Sequence, residues 1–491
     1  MAGPVGGTLA GIGQRWVRRD ALRIGLTAGG AVAVGGALAA CGPTGAVPPV
    51  AAPTKAASAK TTLVWRPWYN FSQATSKTGH DLLMEGIQPW LDQHPGVEIV
   101  ISFLGYQQAT VAALLAGNGP DIFADWVLHL FTGSGLLLDM SSYVKRDNVD
   151  LSIFPSFEID LYSEGGGLWA LPSYFHLQAP AVNLGILDQM GLTYPQPGWT
   201  HQQWADLWKA TTLKTGDSKK RRVGGQFVWS GYNGAGSNPH AYYLKGFGGE
   251  YADAANRLHC TVDQQGSLDA LTWTYDLLAS GACDTGGADF ASGHKTTGGM
   301  DTAGGLINAA RGWNGVKWQL YDEPTYPKGR TAYVWSDFYA ISAATKAPDL
   351  AWSFLQYLCV AQQWQRWMVK LALNGPNQKS LYTEWAQTVK AVAPPLTHID
   401  LDVFTRQMQN NEPYFGVTFE YADTQSGLVI NTDTAPAQKN LAELPTGARQ
   451  ATQQVDALQA ASADMAGKQA GISKQFPTAN GSIIAGVQPG L

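Results

Sequence analysis

The sequence has little charge. Of its 491 residues, 14% are charged, and the net charge at pH 7 is −5, whereas roughly 25% of an average globular domain is charged. The longest basic run, Lys219-Lys220-Arg221-Arg222, is interpreted as a solvated loop. Because nucleic-acid binding through counterion release needs a broad basic face, nucleic acid is not expected as a partner.

Motifs for metal binding and catalysis are also missing. There are four cysteines, no C-x-x-C pair and no histidine cluster with metal-ligand spacing, so neither a metal nor another cofactor is expected. The sequence contains no nucleophile elbow and no phosphate-binding loop. A glycosidase needs two carboxylates roughly 5–10 Å apart, but Asp121 and Asp125, on one short strand and its end, would be roughly 13 Å apart. We therefore assign no catalytic residue.

Hydrophobic and aromatic residues are plentiful. Hydrophobic residues make up 45% of the chain, enough for a sizeable core, and tryptophan (18) outnumbers phenylalanine (16). An excess of tryptophan indicates surfaces that stack on a ligand, although most tryptophans in any protein lie in its core. Core positions are predicted for the tryptophans at helical spacing, which are Trp90, Trp204, Trp208, Trp352 and Trp364.

The first forty residues have the pattern of an export signal. Arg18-Arg19 precede an uncharged Gly/Ala-rich stretch that ends in Leu38-Ala39-Ala40-Cys41. Basic residues, an apolar segment and small residues before a cleavage site predict a signal peptide over 1–40, with a weak membrane-spanning anchor as the alternative. Leu-Ala-Ala-Cys resembles a bacterial lipobox, in which Cys41 is lipidated, and the arginine pair resembles a twin-arginine signal. Residues 41–60 would then be a flexible tether on the outer face of a bacterial membrane.

Three cysteines remain after Cys41. Outside the cytoplasm Cys260 and Cys283 can pair as a disulfide, and the sequence leaves that pairing open. Cys359 lies in an apolar helical run and is predicted to be a small core residue.

Strand and helix patterns alternate after residue 60. Short buried strands are predicted at Thr62–Trp65, Val97–Ile101 and Asp121–Ala124. Helices are predicted between them at 82–91, with Pro89 expected to kink the helix, and at 111–115. This order predicts a parallel α/β sheet, whose ligands bind beyond the carboxyl ends of the strands. The residues at those ends are Arg66, Trp68, Tyr69, Asp125 and Trp126.

Five segments, in order, resemble the family 1 extracellular solute-binding proteins of bacterial ABC importers, the maltose-binding-protein-like sugar receptors. They lie at 94–99 (HPGVEI), 116–122 (AGNGPDI), 167–172 (GLWALP), 183–200 and 340–355. The resemblance implies an α/β, two-lobed, periplasmic-binding-protein-like (type II) fold with the ligand cleft between lobes joined by strand crossovers. The first crossover would lie near Pro172 and the second over 333–340.

The resemblance also implies the extent of each lobe and the function. Lobe 1 would comprise residues 61–172 and 333–373, and lobe 2 residues 173–332 and 374–491. The protein would be a monomer that captures a sugar or oligosaccharide by lobe closure and delivers it to an ABC transporter permease, without catalysis. Two alternatives stay open: a secreted carbohydrate-active enzyme, and a sugar-sensing or adhesion lipoprotein with no role in transport.

The cleft of such a receptor needs two kinds of group. The C–H faces of a sugar stack on aromatic rings, and its hydroxyls need fixed polar partners. Asp125 and Asp337 are predicted to accept hydroxyls, and because Arg66 is the one obvious basic group near a strand end, a neutral sugar is favoured over a phosphate. The full predicted set is Trp68, Tyr69, Asp125, Trp126, Tyr174, Trp229, Tyr232, Asn233, Trp313, Trp335 and Asp337.

Overall fold

The structure, a computed structural model, describes residues 60–475 apart from 68–78, 103, 106–107, 127, 133–134, 218–219, 227–240, 285–288, 303–304, 411–412 and 415–422. The strands are β1 Thr61–Arg66, β2 Val97–Ile101, β3 Ile122–Asp125, β4 Ser163–Glu164, β5 Gly167–Leu168, β6 Leu171–Asn183, β7 Gly225–Gln226, β8 Cys283–Asp284, β9 Thr297–Asp301, β10 Trp318–Leu320, β11 Ala332–Ile341, β12 Gly375–Pro376 and β13 Pro413–Tyr414.

The α-helices are α1 Gly79–Gln93, α2 Gln108–Leu115, α3 His129–Thr132, α4 Ser141–Arg146, α5 Ser156–Tyr162, α6 Leu184–Met190, α7 His201–Thr211, α8 Ala241–Phe247, α9 Gln265–Ala279, α10 Gly305–Gly312, α11 Pro348–Cys359, α12 Gln362–Ala372, α13 Tyr382–Val392, α14 Asp402–Gln409, α15 Asp423–Thr434 and α16 Leu444–Gln475. In the described part of the chain, no helix combines the length and the apolar character needed to span a membrane.

The first three strands form the predicted parallel sheet. β1 lies between β2 and β3 and pairs with both in parallel, with Leu63 opposite Ile99 and Trp65 opposite Ile122. Every residue of β3 is buried, as expected for a central strand with both faces covered. Helix α1 covers one face with Leu83 and Trp90 and continues past Pro89 to Gln93. The predicted strands and helices of this segment are therefore present.

Two long strands are shared by two separate hydrophobic cores. Leu171 and Tyr174 of β6 pack in the core around β1–β3, whereas Leu177 and Ala181 pack in a second core. β11 runs antiparallel to β6 and returns from the second core at Val334 to the first, where it joins the edge of β3. We call the part of the chain around the first core lobe 1 and the rest lobe 2. The two crossovers predicted from the sequence are these two strands.

Lobe 2 is built around the far half of β6. Strands β9 and β10 pair with it in antiparallel fashion, and helices α13 and α14 pack on it through Trp385 and Phe404. Two further hydrophobic clusters complete the lobe: one joins α9 to α15 and α16, and the other surrounds Trp204 and Trp208 of α7. The exact residue boundaries of the lobes remain a prediction.

The cysteines of lobe 2 are not joined. Cys260 packs in the cluster with α16 and Cys283 in the cluster with α7, and both are buried and form no disulfide. The disulfide that the sequence left open is therefore absent, because the two thiols belong to different clusters. Burial raises the pKa of the Cys260 thiol to about 12. The core positions predicted for Cys359 and the five tryptophans at helical spacing are confirmed, since all are buried.

Candidate ligand-binding site at the strand crossovers

A fully buried ion pair joins the carboxyl ends of β1 and β3. The Arg66 guanidinium donates to Asp125 through Nη2, which lies 3.0 Å from Oδ2, and both side chains are 0% exposed. Nη1 of Arg66 also donates to the carbonyl oxygen of Ala124, and Nε donates to that of Gly105 at 3.4 Å. We call Arg66 and Asp125 the tip pair. It ties the ends of two strands to the loop that follows β2.

The second oxygen of Asp125 is also engaged. Oδ1 accepts the backbone N–H of Trp126 at 2.8 Å. The side chain of Trp126 is partly exposed and packs against the core of lobe 1. In this arrangement both carboxylate oxygens of Asp125 have protein partners and help to fix the backbone that carries Trp126, while its role as a hydroxyl acceptor stays a prediction.

A second buried polar group lies where β6 and β11 leave lobe 1. Nε2 of His176 is 2.8 Å from Oδ2 of Asp337, with side-chain exposures of 10% and 0%. The imidazole is stacked on Tyr174, with ring centroids 5.0 Å apart and an interplanar angle of 23°. We call Tyr174, His176 and Asp337 the crossover cluster. It places a carboxylate, an imidazole and a phenol ring at one point of the two shared strands.

A β-bulge accompanies this cluster. Asp337 pairs with Tyr174, but the next residue, Phe338, pairs with Pro172, so that Ser173 is the extra residue. The Ser173 hydroxyl donates to the Asp337 carbonyl oxygen at 2.9 Å. Bulges re-aim side chains and increase local twist. This one lies where the strands pass from one lobe to the other.

Buried amides fix the backbone of the bulge. The Gln365 amide donates to the carbonyl oxygens of Ser173 and Leu358, both at 2.9 Å. The Asn377 amide donates to Pro172 at 2.6 Å and to Cys359 at 2.9 Å. Each amide thus connects β6 to the C-terminal end of α11, which holds the crossover against lobe 1.

The tip pair and the crossover cluster are neighbours in the sheet. Asp125 pairs with Phe338, the residue that follows Asp337, and Asp337 pairs with Tyr174. The predicted residues Asp125, Trp126, Tyr174 and Asp337 therefore come together. Trp335 pairs through its backbone with His176 and so belongs to the same stretch of β11.

Trp313 is not brought to this place. Its ring stacks on Phe290 with centroids 4.3 Å apart and meets Trp318 edge-on at 4.9 Å. Trp318 pairs with Asn183 at the far end of β6, which is about 30 Å along the strand from Tyr174 at ~3.3 Å per residue. Trp313 lies in the turn between helix α10 and strand β10 and packs in lobe 2, and its role as a ligand contact stays a prediction.

The other predicted positions lie outside the described residues. These are the ligand contacts Trp68, Tyr69, Trp229, Tyr232 and Asn233, and the lipidation site Cys41. Their roles stay predictions.

Three residues near the crossover were not predicted from the sequence. His176 is absent from the predicted set of contacts, although its spacing of two from Tyr174 on a strand puts both side chains on one face. Asp301, at the end of β9, and Tyr333 of β11 are the other two. Burial, followed by the negative charges of Asp301 and Asp337, raises the pKa of Tyr333 and keeps its hydroxyl protonated.

The carboxylates considered for catalysis have structural partners. Asp121 accepts the Val64 N–H at 2.8 Å and the Thr345 hydroxyl at 2.6 Å, while Asp125 belongs to the tip pair. Among the residues that the structure describes, no group of three or more His, Cys, Asp or Glu side chains could hold a metal ion. Asp121 and Asp125 are therefore both engaged by other groups of the protein.

Comparison with known proteins supports the resemblance found in the sequence. Residues 74–365 match the family model for bacterial extracellular solute-binding proteins, which is more than half of the chain. The members of this family and the similar solved structures are binding proteins.

Solved structures share the two-lobed type II fold. An ABC substrate-binding protein from Listeria monocytogenes in complex with cycloalternan has a TM-score of 0.65 at 15% identity, covering 81% of this chain and 99% of that one. A cyclic alpha-maltosyl-1,6-maltose binding protein from Arthrobacter globiformis has a TM-score of 0.64 at 16% identity, covering 82% and 98%. A solute-binding protein from Thermotoga lettingae bound with alpha-D-tagatose has a TM-score of 0.62 at 18% identity, covering 82% and 100%.

Proposed function

The chain belongs to the bacterial extracellular solute-binding proteins, and from this we propose that it captures a neutral sugar or oligosaccharide between its lobes and delivers it to the permease of an ABC importer. The observation that carries the proposal is the crossover cluster. Tyr174, His176 and Asp337 place aromatic and hydrogen-bonding groups on the two strands that both lobes share.

The chemistry of the cluster suits a sugar. Tyr174 and Asp337 are buried in this structure, so ligand contact would require the lobes to separate at the crossovers. The Tyr174 ring would then stack on apolar C–H faces, and the Asp337 carboxylate beside His176 would be a fixed acceptor for a hydroxyl. A site built from buried polar groups rejects ligands that leave those groups unpaired. Trp126 contributes a second ring from lobe 1, and Trp68, Tyr69, Trp229, Tyr232, Asn233 and Trp335 are the further ligand contacts that we propose.

The tip pair supports a neutral ligand. Arg66 is the basic group at the strand ends, and its charge is already balanced by Asp125 inside the protein. Recruiting Arg66 to a phosphate or carboxylate ligand would leave Asp125 as an unpaired buried charge, which is strongly unfavourable. Similar structures with named sugar ligands point in the same direction, since one holds cycloalternan and another alpha-D-tagatose.

Capture would proceed by hinge closure about β6 and β11. A ligand that contacts both lobes binds the closed arrangement better and shifts the population towards it. The closed form is then the form that the permease recognises. In this role the chain forms and breaks no covalent bond, and neither the carbohydrate-active enzyme nor the sensor or adhesion lipoprotein is favoured by the family and its structures.

Membrane attachment is a further part of the proposal. Residues 1–40 would direct export through the twin-arginine route, Cys41 would carry the lipid anchor, and residues 41–60 would hold the monomeric binding protein off the outer face of the membrane. The support is the Arg18-Arg19 pair and the Leu38-Ala39-Ala40-Cys41 sequence, together with the extracellular character of the family.

The test is a thermal-shift screen of the exported chain against neutral mono- and oligosaccharides and matched sugar phosphates. A ligand at 100 times its dissociation constant stabilises the native state by about 2.7 kcal/mol. We expect a neutral sugar to give the largest shift. Calorimetry with that sugar should show binding weakened by more than about 1 kcal/mol in Asp337→Asn and Tyr174→Ala.

The matched control is Asp276→Asn, an exposed residue of α9 in lobe 2. It should bind the sugar as the wild type does. Absence of any sugar shift, or equal affinity in Asp337→Asn, Tyr174→Ala and the control, would show that the crossover cluster is not a sugar site.

A further inference from the structure

An ion pair joins strand β4 to a loop that is distant from it in the sequence. Nη1 of Arg257 lies 3.6 Å from Oε1 of Glu164, and the two side chains are 28% and 38% exposed. Neither residue belongs to the tip pair or to the crossover cluster. The two residues of this ion pair are anchored in different lobes.

Glu164 is fixed to lobe 1. It ends the two-residue strand β4, whose Ser163 pairs with Leu168 of β5. Leu168 and Tyr162, the residue before β4, are buried in the core of lobe 1. The Trp169 indole N–H also donates to the Glu164 carbonyl oxygen at 2.8 Å.

Arg257 is fixed to lobe 2. Its loop lies between Tyr251 and Cys260, which are both buried in the cluster with α16. Asp456 of α16 accepts the Cys260 backbone N–H at 2.7 Å, and its other oxygen lies 2.8 Å from Nδ1 of His259. The position of Arg257 therefore follows lobe 2.

We propose that Arg257 and Glu164 form an electrostatic latch that exists only when the lobes are closed. The inference rests on the proposed function in one respect, since it assumes that capture proceeds by lobe closure. An ion pair within one lobe stabilises the open and closed forms equally. A pair between lobes stabilises the closed form alone and shifts the equilibrium towards it.

The latch adds a modest, salt-sensitive bias. Exposed ion pairs contribute little, so its loss should raise the sugar dissociation constant by about two- to five-fold. Charges on the rim of an interface are screened by salt, so the bias should shrink at high ionic strength. The latch thus sets how long the closed form lasts without contacting the ligand.

The experiment reverses each charge and then both. The variants are Arg257→Glu, Glu164→Arg and the double variant, in the full exported chain. The control is Lys209→Glu, which makes the same change of net charge as Arg257→Glu, at a residue whose partner, Asp276, lies in the same lobe at 2.9 Å. The radius of gyration of the ligand-free protein is measured by small-angle scattering at low and high salt, and the sugar dissociation constant is measured beside it.

At low salt, each single reversal should increase the radius of gyration and weaken sugar binding by at least about two-fold. The double variant should return both values to those of the wild type, and Lys209→Glu should leave them unchanged. Single reversals that match the control, or a double variant that does not recover, would overturn the latch. If the wild type binds no sugar, the proposed function fails and the scattering comparison still decides on the latch.

Discussion

Arg66 and Asp125 are a guanidinium and a carboxylate with no exposed surface, held at the ends of two parallel strands. A buried ion pair is a weak source of stability compared with an apolar pair of the same size, but removing one partner leaves an uncompensated charge in the interior. The pair therefore fixes the shape of the strand ends. It also determines which residue types the site tolerates at these positions.

Replacing Asp125 should reduce stability more than it reduces ligand contacts. Asp125→Asn leaves the Arg66 charge unbalanced and should lower the free energy of unfolding by about 3–5 kcal/mol, measured by urea denaturation. Asp349→Asn, which removes the exposed partner of Arg146, is the control and should cost at most about 1 kcal/mol. If Asp125→Asn instead lowers the free energy of unfolding by less than about 1 kcal/mol but abolishes sugar binding, Asp125 is the hydroxyl acceptor predicted from the sequence.

The sequence was sufficient to predict a site residue when its position depends on a single strand end or a single crossover. Asp125 and Trp126 lie at the carboxyl end of β3, and Tyr174 and Asp337 lie on the two crossover strands, of which β11 pairs directly with β3. The contact between His176 and Asp337 was not predictable. It depends on which residues of β6 and β11 pair with each other, and the extra residue Ser173 in the bulge shifts that pairing register by one residue.

At the scale of elements, the local patterns were sufficient for β1, β2, β3, α1 and α2. Each is an apolar run bounded by a turn signal such as Gly117, which has a φ of 73°. The two-residue strands β4, β5, β7, β8 and β12 were not predicted. Each pairs with its neighbour at only two residue positions, and such short pairings are not encoded in a local sequence pattern.

Gly224, the residue before β7, lies directly against helix α7. A Cβ at Gly224 would overlap the backbone of Trp208, which has no freedom to move away. Gly224→Ala should therefore destabilise lobe 2 by about 1–3 kcal/mol.

Gly216→Ala is the matched control, because a Cβ there meets nothing within 4 Å, and it should be neutral or stabilise by up to about 1 kcal/mol. Urea denaturation of both variants gives the comparison. Equal midpoints for the two variants would contradict the close packing of Gly224 against α7.

At the scale of the whole molecule, the order of five short segments was enough to predict two lobes and two crossovers. The structure has two lobes, and β6 and β11 are the two crossovers between them. Such fold-level features are predictable because each segment marks one place in the chain, and the order of the segments then fixes the fold. The packing of Trp313 against Phe290 and Trp318 was not predictable, because these residues come from segments without a clear pattern.

Attachment to the membrane should depend on one sulfur atom. Two acyl chains on Cys41 would give stable anchoring, whereas the polar tether alone has no affinity for lipid. In a bacterial host the wild type should fractionate with membranes, and Cys41→Ser should lose its lipid and leave that fraction. Both should bind the same sugar with equal affinity. A Cys41→Ser variant that stays with the membranes without lipid would point to a spanning anchor at residues 24–40.

The antiparallel pairing of β3 with β11 has a consequence for biosynthesis. Thr345, just beyond β11, bonds to Asp121, just before β3, across 224 positions of the chain. At translation rates of 5–20 residues per second, the open edge of β3 waits on the order of 10 to 45 s for its neighbour. An unpaired strand edge recruits other chains. The nascent polypeptide therefore exposes a strand edge over this interval, and slowing the ribosome before codon 332 should increase aggregation.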